Sequence, residues 1–133
     1  MRTVVVIPAR DEEASVGDVV ASVLEAPSAG SGQAVETVVV VDNGSRDRTA
    51  EVAREAGGIV VPEPRAGYGR ACLAGLAWVR DLEAVPDVVL FLDADKSDDP
   101  ADLEAVLAPV RDGTADMVIG SRVLGQRAGR VEA

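Results

Sequence analysis

Two aspartates one residue apart, Asp93 and Asp95, follow directly on the apolar run Val88-Val89-Leu90-Phe91-Leu92. Side chains of an extended chain alternate between faces, so residues two apart point the same way and the two carboxylates converge. Partly shielded from water about 4 Å apart, they repel by about 4 kcal/mol, which a divalent cation turns into binding. Mg²⁺ and Mn²⁺ suit such a pair, because these hard ions accept one or two carboxylates and complete their shells with substrate phosphate oxygens. The competing reading is an acidic loop in which Asp98 or Asp99 caps a helix at Pro100 and the other carboxylates are solvated. Repulsion then falls to about 1 kcal/mol. Delivery of the pair from a fully apolar run, and so from the middle of a sheet, favours the cation.

Two more apolar runs end in acidic, turn-forming segments: Pro8-Ala9-Arg10-Asp11-Glu12-Glu13 and Asp42-Asn43-Gly44-Ser45-Arg46-Asp47. Asn-Gly is a turn dipeptide, and Ser45 or Asp47 suits a helix cap, which leaves Asp42 and Asn43 available to a base. Glu12 reads equally as a solvated carboxylate at a helix start or as an acceptor for sugar hydroxyls. Gly67-Tyr68-Gly69 opens a further helix. Neither the glycine pattern of dinucleotide folds nor a P-loop is present, so diphosphate recognition must come from elsewhere.

The elements that position these tips are short valine-rich runs alternating with stretches of helical period. Strands are expected over residues 3–7, 36–41, 58–61, 87–92 and 116–120. Their continuous apolar character fits strands covered on both faces. Helices are expected over 15–25, with Val16, Val19, Val20, Val23 and Leu24 on one face, and over 47–56, with Ala50, Val52 and Ala53 inward. A third, over 68–83, should turn Cys72, Leu76 and Val79 inward, and a fourth should span 100–111. The pattern is α/β: a three-layer α/β/α arrangement around a mostly parallel, twisted sheet. In such sheets the ligand crevice lies beyond the carboxyl ends of the strands, where all three acidic tips fall.

With 133 residues the chain makes one domain, 1–133. A net charge of −10 excludes a basic face for nucleic acid or an anionic membrane, since phosphates would be repelled. The absence of histidine removes His-based triads and His-ligated zinc, and the single cysteine, Cys72, cannot form an internal disulfide. No apolar run approaches the roughly 20 residues of a membrane span, and a cytoplasmic location is expected.

Taken in order, the segments Ile7 through Glu13, Val41 through Thr49, Gly67-Tyr68-Gly69-Arg70-Ala71, Leu92-Asp93-Ala94-Asp95 and Gly120-Ser121-Arg122 resemble the family 2 glycosyltransferases. The likeness is nearest the branch that contains dolichyl- and polyprenyl-phosphate sugar transferases. It implies a GT-A fold, a UDP- or GDP-sugar donor, and Mg²⁺ or Mn²⁺. Carried over position by position, Pro8, Ala9 and Arg10 would line the nucleoside pocket and Glu12 would hold the ribose. Asp42 and Asn43 would read the base edge; many relatives carry a second aspartate at the latter place. Gly67, Tyr68, Gly69 and Arg70 would form a lip over the nucleotide, with Tyr68 where some relatives have lysine. Asp93 would contact ribose or metal, Asp95 would bind the metal, Ser97 could approach the same ion, and Arg122 would face the acceptor.

Members of the family continue well past Gly-Ser-Arg into a half that forms the acceptor site and often supplies the catalytic carboxylate. The resemblance therefore implies a truncated or half-length domain, with 121–133 as loop or tail and the general base absent. It further implies an acceptor such as a lipid phosphate, self-association through an exposed sheet edge, and attachment to the inner membrane face if a longer native chain exists. Two other readings stay open. One is a catalytically silent nucleotide-sugar-binding module. The other, a sugar-1-phosphate nucleotidyltransferase, is disfavoured because the first loop lacks the glycine-rich, Arg- and Lys-bearing signature used on triphosphates.

Overall fold

The computed structural model describes residues 2–25, 35, 37–84 and 86–95, together with the backbone of two short strands at 119–120 and 131–132. Strand β1 (Thr3–Ala9) is buried at every position and forms the axis of the domain. It pairs in parallel with β2 (Thr37–Asp42) on one side and with β4 (Val88–Phe91) on the other. Strand β3 (Ile59–Pro62) extends the sheet beyond β2, giving the order β3-β2-β1-β4. The chain thus steps outward from β1 to β3, then crosses back to place β4 on the opposite flank of β1. The reversal makes the gap between the carboxyl ends of β1 and β4 the crevice of an open α/β sheet.

Period-two alternation divides the valines between two cores. Val5, Ile7 and Ala9 of β1, with Val38 and Val40 of β2, face helix α1 (Val16–Glu25) and Ala53 of α2 (Thr49–Glu55). Val4 and Val6, with Val39 and Val41, face Ala71 and Val79 of α3 (Tyr68–Arg80). The architecture is therefore α/β with helices on both faces of a parallel sheet, and its core is made of valine rather than aromatic residues. Helix α1 buries Val16, Val19, Val20 and Val23, matching its sequence period.

The inner face of α3 differs from expectation. Ala71, Gly75 and Val79 are buried, while Leu76 is 40% exposed and Cys72 is only half-buried. Close approach is the reason: a Cβ built on Gly75 would collide with Val6 Cγ1. The helix sits so near the sheet that small residues must form the contact, which turns the larger Leu73 and Leu76 outward. In α2, likewise, Thr49 and Ala53 are buried, whereas Ala50 and Val52 are half-buried.

Two short strands, β5 (Ile119–Gly120) and β6 (Val131–Glu132), pair antiparallel with each other in a separate two-stranded sheet. This corrects the assignment of all of 121–133 to loop or tail. It also removes 119–120 from the parallel sheet, among the described residues. The intervening segment 121–130 is too short for the crossover a parallel pairing needs, whereas antiparallel pairing permits a short connection. The helix expected over 100–111 lies outside the described residues. No helix among those described is long and apolar enough to cross a membrane.

Candidate functional site

A cleft of about 400 Å³ opens at the reversal point, lined by Pro8, Ala9, Arg10, Glu12, Asn43, Gly67, Tyr68, Ala71, Asp93, Ala94 and Asp95. Each segment reaches it for a local reason. Strand β1 runs straight into Pro8 and Ala9, and the backbone N–H of Asn43 donates to the Ala9 carbonyl (2.8 Å), which keeps the ends of β1 and β2 in step. The Leu92 N–H donates to the Val6 carbonyl (3.0 Å), extending the pairing one residue past β4. Asp93 then lies outside the strand and Asp95 in a turn, so strand alternation does not align the two side chains, although both line the same rim. Helix α3 begins at the cleft because Gly67, at φ +135°, takes a backbone turn that a side chain would strain.

The loop that carries Glu12 is laced to the loop after β2. The Asp11 N–H donates to Ser45 Oγ (2.9 Å), the Glu12 N–H to Thr49 Oγ1 (2.8 Å) and the Glu13 N–H to Asp47 Oδ2 (3.2 Å). In return, the Arg46 N–H donates to Asp11 Oδ1 (2.7 Å) and the Arg48 N–H to Glu13 Oε2 (3.3 Å). Asp11 sits at φ +53°, a left-handed conformation that costs a non-glycine residue about 1–2 kcal/mol, and these bonds hold it there. Ser45 therefore serves as a tie between loops rather than as a helix cap. Asp47 caps the Thr49 N–H (2.9 Å) and also accepts from the Thr49 hydroxyl, which together with the backbone donors holds its carboxyl below the ordinary range.

Asn43 is 6% exposed and its amide is engaged. Nδ2 donates to the carbonyls of Glu63 and Arg65 (both 2.8 Å), and Oδ1 accepts from the Gly67 N–H (3.1 Å). Both donors and one acceptor position thus hold the 63–67 loop against the end of β2, which leaves this side chain one Oδ1 lone pair for a base. The Asp42 carboxylate accepts from the Ser45 N–H (3.0 Å), closing a local turn, and Asp42 does not line the cleft. Glu63, buried in the same loop, pairs with the Arg65 guanidinium (2.8 Å), which holds its carboxyl below the usual range.

Of the residues singled out in the sequence, Pro8, Ala9, Arg10, Glu12, Asn43, Gly67, Tyr68, Asp93 and Asp95 are thus brought together. Gly69 and Arg70 are exposed and do not line the cleft. Ser97 and Arg122 lie outside the described residues. Ala71 and Ala94 also line the cleft, although the sequence motifs that contain them assign neither a role; their only signals are the small-residue stripe of α3 and the position between two aspartates. Ser15 was missed. Its hydroxyl lies 2.7 Å from the Ala94 carbonyl oxygen and 3.1 Å from Glu12 Oε2. The Cys72 thiol is pushed up chiefly by burial, against a lowering hydrogen bond with Tyr68, and the Asp93 charge raises it further.

No cluster of three or more metal-ligating side chains occurs among the described residues. The donor set nonetheless fits Mg²⁺ or Mn²⁺, since Asp93 and Asp95 offer hard oxygens in a cleft with room for phosphates to complete the shell.

The same stretch of chain, residues 4–132, matches the model of glycosyl transferase family 2. The chain belongs to that family. An uncharacterised glycosyltransferase of Mycobacterium tuberculosis is 41% identical over 118 residues, which cover 89% of this chain and 47% of that protein. An undecaprenyl-phosphate mannosyltransferase of Micrococcus luteus is 38% identical over 91 residues, covering 64% of this chain and 36% of that enzyme. Among solved structures, glucosyl-3-phosphoglycerate synthase of M. tuberculosis in complex with Mn²⁺, UDP and glucosyl-3-phosphoglycerate superimposes with a TM-score of 0.65 at 29% identity. That match covers 82% of this chain and 39% of the synthase. This family 2 chain spans about half the length, or less, of the relatives it matches. The likeness to the synthase confirms the α/β fold as the GT-A type.

Proposed function

We propose that this family 2 chain is the donor-binding part of a glycosyltransferase, taking a sugar from a nucleotide-diphosphate donor with divalent-metal assistance. One observation carries the reading: Glu12, Asp93 and Asp95 meet with the Gly67–Tyr68 turn in a single cleft at the sheet's reversal point. UDP is favoured over GDP as the donor nucleotide, because the synthase of like fold binds UDP. The acceptor class is one that bears a phosphate, in keeping with the undecaprenyl phosphate and phosphoglycerate that the relatives' names carry.

Pro8, Ala9 and Ala71 offer an apolar floor for the nucleoside, and Glu12 accepts hydrogen bonds from ribose hydroxyls. Asn43 shapes the pocket by holding the 63–67 loop, so base contact there falls to the remaining lone pair of Oδ1. Tyr68, 60% exposed at the start of α3, covers the nucleotide as a lip. Asp93 and Asp95 hold Mg²⁺ or Mn²⁺, and the bound ion supplies Lewis-acid stabilisation of the charge left on the departing diphosphate. An acceptor whose own phosphate oxygen attacks, as undecaprenyl phosphate would, is already anionic near neutral pH and needs no strong base.

Calorimetric titration of UDP and GDP with and without Mn²⁺ tests the proposal. Loss of even a neighbour of a metal ligand typically costs about tenfold in affinity, so Asp95→Asn is expected to weaken UDP binding in Mn²⁺ by about tenfold or more. Equal affinity with and without metal, or no effect of Asp95→Asn, removes the reading. Hydrolysis or transfer of a UDP-sugar then distinguishes a transferase from a module that only binds.

A further inference from the structure

Ser15 stands between the two halves of the proposed site. It opens the first turn of α1, where its N–H donates to the Glu12 carbonyl (3.1 Å) and its own carbonyl accepts from the Val19 N–H (3.1 Å). The backbone position of Ser15 is thereby fixed. That hydroxyl lies 2.7 Å from the carbonyl oxygen of Ala94, the 4%-exposed residue between Asp93 and Asp95, and 3.1 Å from Glu12 Oε2. A serine hydroxyl carries one hydrogen, whereas a carbonyl and an ionised carboxylate only accept. Ala94 and Glu12 consequently compete for a single donor.

Resting on the reading of Glu12 as the ribose acceptor and of Asp93 and Asp95 as the metal seat, we propose that Ser15 is a positioning residue that couples ribose binding to cation binding. Ribose hydroxyls that donate to Glu12 supply the hydrogen bonds its carboxylate otherwise draws from Ser15. The Ser15 hydrogen then goes wholly to the Ala94 carbonyl, fixing the peptide that sets the spacing of Asp93 and Asp95. By linkage the effect is reciprocal: a cation that orders the aspartate loop raises nucleotide affinity by the factor through which nucleotide raises cation affinity.

The test measures UDP affinity by calorimetry with and without Mn²⁺ in the 133-residue chain, its Ser15→Ala and Ser15→Thr variants, and with 2′,3′-dideoxy-UDP as a second probe. The Mn²⁺-induced gain in UDP affinity, the ratio of the affinities with and without the ion, is expected to drop about fivefold in Ser15→Ala and to return in Ser15→Thr. Dideoxy-UDP on the unaltered chain is expected to show the same reduced gain, and this arm decides the matter if Ser15→Ala does not fold. An undiminished gain in Ser15→Ala, or with dideoxy-UDP, overturns the coupling role while leaving the site assignment standing. Absence of any Mn²⁺ gain in the unaltered chain overturns the site assignment and the coupling with it.

Discussion

Replacing Asn43 by aspartate removes two N–H donors from a side chain that is 6% exposed and sets carboxylate oxygens against the Glu63 and Arg65 carbonyls. Leaving a buried polar group unpaired costs about 1–3 kcal/mol, so Asn43→Asp is expected to lower stability by about 3 kcal/mol in urea denaturation. An unchanged midpoint would show that the 63–67 loop does not depend on this amide. Glu63 adds a pH dependence of definite sign. Its carboxyl is held below the ordinary glutamate value of 4.5 by the Arg65 side chain and N–H. A depressed acid contributes stability that is present above its unfolded pKa and is lost as pH falls through the folded one. Urea midpoints are therefore expected to decline below about pH 4.5, and Glu63→Gln should flatten part of that decline. The types of these residues could be read in the sequence, but their partners could not, because Asn43 bonds across 20 to 24 positions of chain.

Helix α3 shows how an element's packing can invert a reading based on side-chain size. Its apolar period was visible, yet the rule that the largest apolar residues face inward selected Leu76, whereas Gly75 makes the contact. Gly75→Ala would drive a methyl against Val6 Cγ1 and to 3.3 Å from Val41 Cγ2. Overpacking of this kind costs about 1–3 kcal/mol and exceeds the gain of about 1 kcal/mol from replacing a helical glycine. A net loss is expected in thermal unfolding. Gly69→Ala, in the same helix with nothing within 4 Å of the added Cβ, is expected to be neutral or stabilising. Equal effects at the two positions would mean that α3 does not approach the sheet as closely as the geometry requires. Helix α1 offers the contrast: its valines are all of one size, so its period alone identified the buried face.

At the scale of the molecule, a charge of −10 opposes the approach of a nucleoside diphosphate. Raising salt from about 20 to about 200 mM screens that repulsion, so metal-free UDP affinity is expected to rise, contrary to the behaviour of a basic nucleotide-binding face. A fall with salt would show that local cations, Arg10 among them, outweigh the net charge. The proposed self-association through a flank of the sheet concerns β3 and β4, which bound the four-stranded sheet among the described residues. A concentration-dependent increase in sedimentation coefficient is expected, and a constant monomer value would remove that proposal. The sequence by itself determined the α/β class, the order of strands and helices from β1 to β4 and the acidic tips, because apolar period and turn chemistry are local properties of neighbouring residues. Tertiary structure alone decided that Asn43 is tied to a loop, that Ser15 lies between Glu12 and Ala94, and that β6 pairs with β5. Each of these depends on which atoms meet when distant segments pack, and no spacing along the chain encodes that meeting.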